Sequence, residues 1–499
     1  MNIFPNNAVL LESLIGFDRP MLFQKPHAIL RTDSLADVIS TLSAAEHYLR
    51  AGYYIAGYLA YEAGYAFESR FKNLQTGRGP LVWLGVYDSP VPFSDITIRR
   101  CNPIMLAENQ TALSLTFQSY RSELEHILNY IAQGDVYQIN YTFFLQFSYT
   151  DEPFVFYQFL RERQRTDYAA FIRHDDCHIL SLSPELFFRV HNGEIVTKPM
   201  KGTKKRGKTM QEDLSLLASL QSCPKNRAEN IMIVDLLRND LGRVCRTGSV
   251  RLDALCDIER YETLYQMTST VSGQLYYNTG FLELIKNLFP CGSVTGAPKV
   301  RAMEIIHKLE SIPRGVYTGA IGYAAPNGDM LFNVAIRTLI IQDGIASLGI
   351  GSGIIADSDP EDEYKECVLK SAFLFTDNTA TEFQLIETMR VDRGIPLLHM
   401  HLDRLQSSAN YFNFTFVRNT IESELLSKIA ELDFNHVYRM RLLLSKNGAY
   451  AIEMAALTSS PQVPVRLALS TCRISSKNIM QYHKTTDRSL YTKELSRAR

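Results

Sequence analysis

Apolar residues recur at helical spacing in one long stretch of the chain. From Arg227 to Val244 they stand three or four positions apart, at 231, 234, 237, 241 and 244. This spacing places them on one face and predicts a helix. Asp359 followed by Pro360 predicts the start of a second helix, since Asp is a good N-cap and Pro fits the first helical position.

Other stretches have the composition of strands. Residues 345–356 are rich in β-branched residues and glycine, and they lead into the second predicted helix. Residues 180–190 and 331–342 also predict one strand each, around Glu185 and Arg337 respectively. With 26 tyrosines, 26 phenylalanines and a single tryptophan, the chain suits large sheets covered by helices.

The hydrophobic pattern is interrupted once, at 376–382. This short polar stretch has no apolar periodicity and predicts a linker. It separates a first domain, 1–375, from a second, 383–499, in which a new hydrophobic pattern begins.

The composition narrows the class of protein. Of 499 residues, 46% are hydrophobic and 21% charged, which is typical of a globular protein and excludes disorder as the main state. With 52 basic and 53 acidic side chains, the net charge of −1 favours neither nucleic acid nor an anionic membrane as a partner.

No run approaches the roughly 18 apolar residues of a membrane span. The start of the chain lacks a basic leader, and the 8 cysteines form no C-x-x-C pair. We therefore expect a cytoplasmic protein without a zinc site or disulfide framework.

An acidic helix face is the first candidate for chemistry. Glu363, Glu366 and Lys370 lie three and four residues apart after Pro360, so they share one face of the second helix. Glu229 stands near the start of the first helix. These residues form either a solvated, salt-bridged surface or a Mg²⁺ site with carboxylates from two helices, and spacing alone leaves both open.

A basic segment is the second candidate. Residues 198–208 contain six cations in eleven positions, which usually indicates a solvated loop. Lys201 differs because it follows a strand and stands beside Met200 and Gly202. Partial burial and crowding by Lys198, Lys204 and Lys205 would lower its pKa and free the amine to act as a nucleophile.

Four motifs occur together in a fixed order. They are PMKGT at 199–203, IVDLLRNDLGR at 233–243, GSVTGAPK at 292–299 and GSGIIADSDP at 351–360. The third is not a P-loop, and alone it indicates only a glycine turn able to hold a carboxylate. Together the four motifs resemble the chorismate-binding enzymes, which include anthranilate, isochorismate, salicylate and aminodeoxychorismate synthases. The resemblance covers about residues 20–375 and implies a large α/β sandwich of two mainly antiparallel sheets covered by helices.

The resemblance also implies roles for individual residues. Glu229 and Glu366 match the family's Mg²⁺ ligands, and Glu363 matches a supporting carboxylate. Tyr317 and Arg337 match the residues that bind the enolpyruvyl carboxylate of chorismate. Further matched substrate contacts are Gln138, Thr203, Gln266, Ser293, Gly353 and Lys370. Relatives often have a histidine where this chain has Gln266, which cannot titrate, so Gln266 is assigned substrate contact only.

Two positions indicate which reaction the resemblance implies. Gln138 stands where the water-using members carry a lysine base, so the isochorismate and salicylate reactions are disfavoured. Lys201 stands where anthranilate synthases have alanine, and the P-x-K-G-T form resembles aminodeoxychorismate synthases. Lys201 would then be the nucleophile and Glu185 the general acid. The implied reaction aminates chorismate with ammonia from a glutamine amidotransferase partner; the alternatives are anthranilate synthase component I and a catalytically silent chorismate-binding or scaffold protein.

The second domain carries a separate resemblance. IETMRV at 386–391 and HLDRL at 401–405 resemble the class IV aminotransferase-like fold, which includes aminodeoxychorismate lyase. Arg404 matches the arginine that binds the phosphate of pyridoxal phosphate, and Lys484 matches the Schiff-base lysine. The chain ends at Arg499, before the family's later segments, so we expect a partial α+β domain with little or no lyase activity and cofactor binding only in a complete form.

Overall fold

The structure is a computed structural model. It describes residues 4–13, 19–77, 79–93, 111–164, 166–261, 264–375, 383–432, 436–457, 469–470, 472–476 and 478–498. The predicted linker at 376–382 and Cys101 lie outside these residues.

The described residues form strands, α-helices and short 3₁₀ helices. The strands are β1 Ala8–Ser13, β2 Met21–Phe23, β3 Ala28–Thr32, β4 Tyr54–Leu59, β5 Val82–Tyr87, β6 Val91–Pro92, β7 Ala112–Leu113, β8 Gln138–Ser148, β9 Tyr168–His174, β10 Cys177–Ser183, β11 Leu186–His191, β12 Glu194–Lys198, β13 Met200–Lys205, β14 Arg251–Arg260, β15 Leu264–Gln274, β16 Gly296–Ala297, β17 Ala320–Ala324, β18 Met330–Val334, β19 Thr338–Gln342, β20 Ile345–Ile354, β21 Leu385–Val391, β22 Tyr438–Leu444 and β23 Tyr450–Ala456. The α-helices are α1 Val38–Arg50, α2 Phe117–Ala132, α3 Pro153–Arg163, α4 Met210–Ser222, α5 Pro224–Gly242, α6 Phe281–Leu288, α7 Lys299–Leu309, α8 Pro360–Leu369, α9 Leu398–Phe412, α10 Arg418–Ala430 and α11 Ser489–Ala498.

The chain divides into two compact units. The first contains Met1–Gly202, Pro224–Asp257 and Met267–Thr379, and the second contains Thr203–Cys223, Ile258–Gln266 and Ala380–Arg499. The second unit thus includes two short segments from the earlier part of the chain. The domain bounds at 375 and 383 stay a prediction.

Two ten-stranded sheets account for most strands. One has the order β16-β8-β20-β19-β10-β9-β1-β2-β6, with β7 also on β8. The other has the order β13-β15-β12-β11-β18-β17-β4-β5-β3, with β14 also on β15. Antiparallel pairing is illustrated by the ten-residue register of β20 on β8. The expected fold class, a mixed α/β protein with two large antiparallel sheets and helices, is confirmed.

The first unit has apolar cores on both faces of its sheets. Alternate residues of β1 divide between two cores, as the period of two in a strand requires: Ala8 and Leu10 face the helices α2, α3 and α7, whereas Val9 and Leu11 face the opposite sheet. A third core packs α1, α5 and α6 against the outer face of the other sheet. These layers fix the strand ends from which the candidate site is built.

Two predicted strands are each two strands in different sheets. The stretch 180–190 is split between β10 and β11, with Glu185 at the crossing, and the stretch 331–342 is split between β18 and β19. Arg337 lies at that second crossing with a φ of 49°, a left-handed conformation that no strand adopts. The prediction of single strands was wrong because apolar patterning does not reveal a change of sheet.

The two crossings are bonded to each other. The backbone N–H of Val334 donates to the carbonyl of Glu185 at 3.0 Å. The hydroxyl of Ser183 donates to the carbonyl of Val334 at 2.5 Å. Glu185 and the segment that leads to Arg337 are therefore held side by side where the chain passes between the sheets.

Both predicted helices are confirmed, with small differences in their bounds. The first is α5, which begins at Pro224. The second is α8, and its predicted cap is present: the side chain of Asp359 accepts hydrogen bonds from the backbone N–H groups of Glu361 and Asp362 at 2.9 and 3.0 Å. The strand predicted at 345–356 is β20.

The second unit has its own sheet and core. Strands β21, β22 and β23 form a three-stranded antiparallel sheet, packed with α9 and α10 around buried residues such as Leu402 and Met440. In the same unit the guanidinium of Arg206 donates to both oxygens of Asp213, which is fully buried. Across the described ranges, no helix is both long and apolar enough to cross a membrane.

Candidate active site

The amine of Lys201 lies inside the first unit, at the start of β13. Its Nζ donates to the carbonyl oxygen of Ser293 at 3.0 Å, and the side chain is half-buried. Burial lowers its pKa, and the charge of Lys370 acts in the same direction, against Glu229 and Glu185, which raise it. The expected lowering and one of its expected causes, burial, are both present, and the like charge that adds to it is that of Lys370.

The carboxyl of Glu185 faces the same region from the crossing between β10 and β11. Only 3% of the residue is exposed, and burial raises its pKa to about 7. Hydrogen bonds from the side chain of Ser293 and the backbone of Met200 oppose that rise, as does the charge of Lys201. Within the described residues its Oε1 has no hydrogen-bond partner. Glu185 can therefore hold a proton near neutral pH and present it to a group outside the protein's own bonds.

A short glycine turn connects these two side chains. Gly292–Val294 forms a 3₁₀ helix in which Ser293 is buried. The backbone of Ser293 accepts from Lys201, and its side chain bonds to Glu185. The expectation that this turn holds a carboxylate stays a prediction.

Gln138 and Gly353 form the next part of the site, on the paired strands β8 and β20. Gln138 is fully buried, and neither its Oε1 nor its Nε2 has a partner in the described part of the chain. An unpaired buried amide costs about 1–3 kcal/mol, so such groups usually indicate a missing ligand or water. A β-carbon built on Gly353 would lie 2.4 Å from Nε2 of Gln138 and 3.3 Å from Nζ of Lys201. Gly353 therefore leaves the space that these two side chains face.

Three glutamates from two helices stand close enough to affect one another. Burial raises the pKa of Glu229; the charges of Lys201 and Lys225 oppose this rise, and those of Glu363 and Glu366 add to it. Glu363 is buried and accepts from the hydroxyl of Ser358 at 2.8 Å, whereas Glu366 is exposed. Lys225, which the sequence analysis missed, lies 3.4 Å from Glu363.

Lys370 balances part of this negative charge. Its Nζ lies 2.8 Å from Glu366 and donates to the carbonyl of Gly351 at 2.8 Å. The charge of Lys370 lowers the pKa of Glu366. Among the described residues, no group of three or more His, Cys, Asp or Glu side chains is placed to hold a metal ion. The charges of Glu363 and Glu366 thus affect the pKa of Glu229, but the described side chains do not form a three-residue metal cluster.

Tyr317 and Arg337 lie in the same unit. Tyr317 is buried with its ring against Gly349, where a β-carbon would lie 2.2 Å from the ring, and burial raises the pKa of its phenol. Arg337 is half-buried at the crossing before β19, and its carbonyl accepts from the N–H of Leu182 at 3.1 Å.

Two predicted substrate contacts belong to the second unit. The hydroxyl of Thr203 donates to Oε1 of Gln266 at 2.8 Å. Gln266 is buried, and Thr203 is exposed. The structure thus brings these two residues together.

The matched cofactor residues of the second unit meet at one carboxylate. Glu387 on β21 is buried and accepts from Nε and Nη2 of Arg404 at 2.7 and 2.6 Å. Nζ of Lys484 lies 3.7 Å from the same carboxylate, and Nδ1 of His401 lies 2.7 Å from it. Although burial opposes it, the hydrogen bonds from Arg404 and His401 lower the pKa of Glu387. The sequence predicted no role for Glu387. Its position as an acidic residue within the largely apolar strand β21 could have indicated that it has one.

Comparison with known proteins gives this arrangement a family. A profile described as chorismate binding enzyme matches residues 8–376. The chain belongs to the chorismate-binding enzyme family. Residues 384–499 match a second profile, described as amino-transferase class IV.

Individual members of the chorismate-binding enzyme family are similar over part of the chain. Aminodeoxychorismate synthase component 1 of Bacillus subtilis is 42% identical over 260 residues, 52% of this chain and 55% of the relative. Anthranilate synthase component 1 of Aquifex aeolicus is 40% identical over 261 residues, 52% of this chain and 53% of the relative. These matches span about half the length of each relative. The crystal structure of anthranilate synthase component I from Streptococcus pneumoniae has a TM-score of 0.61 and 25% identity, covering 75% of this chain and 94% of that one.

Proposed function

We propose that this chain aminates chorismate to 4-amino-4-deoxychorismate in a Mg²⁺-dependent reaction of para-aminobenzoate and folate biosynthesis. The observation that carries the proposal is the amine of Lys201, held at 3.0 Å from the carbonyl of Ser293 with a lowered pKa. A lowered pKa leaves more of the amine uncharged at a given pH than in an ordinary surface lysine, and the uncharged amine is the nucleophile. Similarity to relatives named aminodeoxychorismate synthase supports the same reaction.

Lys201 and Glu185 divide the proposed chemistry. The neutral amine of Lys201 forms a bond to C2 of the ring while the bond from C4 to its hydroxyl breaks. Glu185, with a pKa of about 7, donates the proton with which that hydroxyl leaves as water. Ammonia then forms a bond at C4 as the bond from C2 to Lys201 breaks, which frees the amine, and the new ammonium at C4 returns a proton to Glu185.

The remaining residues of the first unit bind and orient the substrate. Arg337 suits a bidentate grip on the enolpyruvyl carboxylate, with Tyr317 as a neutral hydrogen-bond donor beside it. The unpaired amide of Gln138 is available to a polar group of the substrate. Ser293 keeps Lys201 and Glu185 on the same side of the ring.

The acidic cluster suits a hard divalent cation. Burial disfavours the charged form of Glu229 despite the nearby charges of Lys201 and Lys225, a condition that a bound cation relieves. Glu229 and Glu366 would hold Mg²⁺, with Glu363 supporting them. When bound, Mg²⁺ supplies Lewis-acid polarisation of the ring carboxylate.

Two further parts of the proposal concern partners and the second unit. The ammonia would come from a glutamine amidotransferase.

We expect little lyase activity from the second unit, because two nitrogens of Arg404 already donate to Glu387. Incubation with pyridoxal phosphate, followed by the visible absorbance of a Schiff base and by para-aminobenzoate analysis, tests this expectation.

The deciding experiment supplies the purified chain with chorismate, MgCl₂ and an ammonium salt, and identifies the product by mass spectrometry. Formation of 4-amino-4-deoxychorismate, lost in Lys201→Ala, is the expected result. Anthranilate with release of pyruvate would assign the chain to the anthranilate synthase reaction, and unchanged chorismate would indicate a silent binding protein. Either outcome overturns the proposal.

A further inference from the structure

Arg314 is a fully buried arginine in the first unit. Its Nε and Nη2 donate to the two oxygens of Glu310 at 2.8 and 2.7 Å, and the guanidinium lies 4.4 Å from the ring centre of Tyr61. A buried charge is costly unless it is paired and its hydrogen-bond donors are satisfied. Glu310 supplies the opposite charge, and the other donors of Arg314 go elsewhere.

Those other donors reach three separate segments of the chain. Nη1 donates to the carbonyl of Val294 at 2.7 Å and to the hydroxyl of Thr318 at 3.3 Å. Nη2 also donates to the carbonyl of Asn140 at 2.6 Å. The segments come from different parts of the sequence, and Arg314 is their common partner.

Each of these acceptors is next to, or two residues from, a residue of the proposed site. Val294 follows Ser293, whose carbonyl holds Nζ of Lys201. Thr318 follows Tyr317, and Asn140 stands two positions after Gln138 on β8. One guanidinium is therefore bonded to three segments that carry residues of the proposed site.

Glu310 extends the same network to β8. Its Oε1 accepts from the backbone N–H and the hydroxyl of Thr142, at 2.9 and 3.0 Å, as well as from Arg314. Two residues of β8, Asn140 and Thr142, are thus bonded to the same ion pair. Both members of the ion pair, Arg314 and Glu310, therefore bond to the strand that carries Gln138.

Arg314 is itself fixed by its backbone. Its N–H and that of Gly315 donate to the two oxygens of Glu62 at 2.7 and 3.0 Å. Glu62 is buried in the 3₁₀ helix Tyr61–Phe67 and belongs to a different part of the chain. The backbone of Arg314 is therefore bonded to a segment other than those that its guanidinium contacts.

We propose that Arg314 is a positioning residue for the amination reaction: through Val294, Asn140 and Thr318 it holds Ser293, Gln138 and Tyr317 in the geometry that places the amine of Lys201. This inference rests on the proposed function. An arginine is required because its planar fork reaches several acceptors at once, whereas lysine offers a single nitrogen. Misplacement of a catalytic amine by about 1 Å costs on the order of 100-fold in rate.

The test compares Arg314→Lys with a matched control, Arg161→Lys. Arg161 also pairs with a buried carboxylate, Glu12, but on α3 and β1, which carry none of the site residues. Thermal melting, kcat and KM for chorismate are measured for both variants. A third measurement follows the pH dependence of Lys201 modification by an amine-directed reagent, quantified by peptide mass spectrometry.

We expect both variants to melt at lower temperature, but only Arg314→Lys to lose about 100-fold in kcat and to shift the Lys201 modification profile to higher pH. Unchanged kcat and an unchanged profile in folded Arg314→Lys would overturn the inference. If Arg314→Lys does not fold, kcat and the modification profile are measured for Glu310→Gln, which removes the partner charge. The same two outcomes then decide the inference. The modification profile needs no turnover, so failure of the proposed function, seen as wild-type chain without product, is distinguishable from failure of this inference.

Discussion

The backbone of Gly353 and the amine of Lys201 border the same small space. A β-carbon on Gly353 would lie 3.3 Å from Nζ of Lys201, and 2.4 Å from Nε2 of Gln138. Contacts below 3.0 Å require a neighbour to shift, and here the first neighbour is an amide buried on all sides. The absence of a side chain at 353 is therefore a condition for the arrangement of both residues.

Gly353→Ala tests the space at the site. The added methyl displaces the amide of Gln138 and crowds Lys201, so we expect kcat/KM for chorismate to fall by about 100-fold while the fold is kept. Gly242→Ala is the matched control, since a β-carbon at the end of α5 meets nothing within 4 Å. Equal kinetics for the two variants would show that the space is not used by the substrate.

Lys201→Ala tests the nucleophile. Removal of the amine leaves the substrate site formed but without the group that attacks C2, and we expect 4-amino-4-deoxychorismate formation to fall by at least about 1,000-fold. Lys205→Ala, an exposed lysine of the same basic segment, should retain wild-type activity. A fall of similar size in both variants would indicate that the basic segment acts as a whole.

The pH dependence of the rate should reflect Glu185. Its pKa is raised to about 7, so the proton that it donates is lost as the pH rises above neutrality, and kcat should decline there. Glu185→Gln should lower kcat by about 10²- to 10⁴-fold and remove that decline. A decline that persists in Glu185→Gln would assign it to another group.

Glu185 should also affect stability, in a defined direction. Because its pKa rises from an ordinary 4.5 to about 7, the folded protein keeps a proton that the unfolded chain releases. The stabilising contribution is complete below about pH 4.5 and is lost as the pH rises through about 7. The free energy of unfolding of Glu185→Gln, relative to wild type, should therefore increase over this range in urea titrations. A constant difference would contradict the raised pKa.

Glu229→Gln tests the divalent cation. Loss of one of two carboxylates should raise the Mg²⁺ concentration for half-maximal activity by at least about tenfold, and should weaken Mg²⁺ binding measured by calorimetry without substrate. Glu361→Gln is the control, since Glu361 pairs with Lys365 on the exposed face of α8. An unchanged Mg²⁺ requirement in Glu229→Gln would remove Glu229 from the metal site.

Local patterns predicted the helices well and the crossings poorly. The apolar spacing of α5 and the cap at Asp359 are properties of neighbouring residues, so they are visible in one dimension. The change of sheet at Glu185 and at Arg337 depends on which strands lie beside each other, which no local pattern contains. The same holds for Arg314, which contacts three segments distant in sequence, at Glu62, Asn140 and Val294, and to which the sequence analysis assigned no role.

Family resemblance predicted which residues to compare but not what surrounds them. Lys201 was expected to be crowded by its sequence neighbours, whereas the like charge that lowers its pKa comes from Lys370. Lys370, which follows the end of α8, is far from Lys201 in sequence, so only the tertiary fold reveals it as a neighbour.

The bond between the two sheet crossings has a consequence for how the protein tolerates change. The backbone N–H of Val334 donates to the carbonyl of Glu185, so the two chain segments that pass between the sheets are bonded to each other. A shift of one sheet relative to the other would therefore move both segments together. We therefore expect substitutions in the outer strands to lower the melting temperature without changing the kinetics of the folded protein.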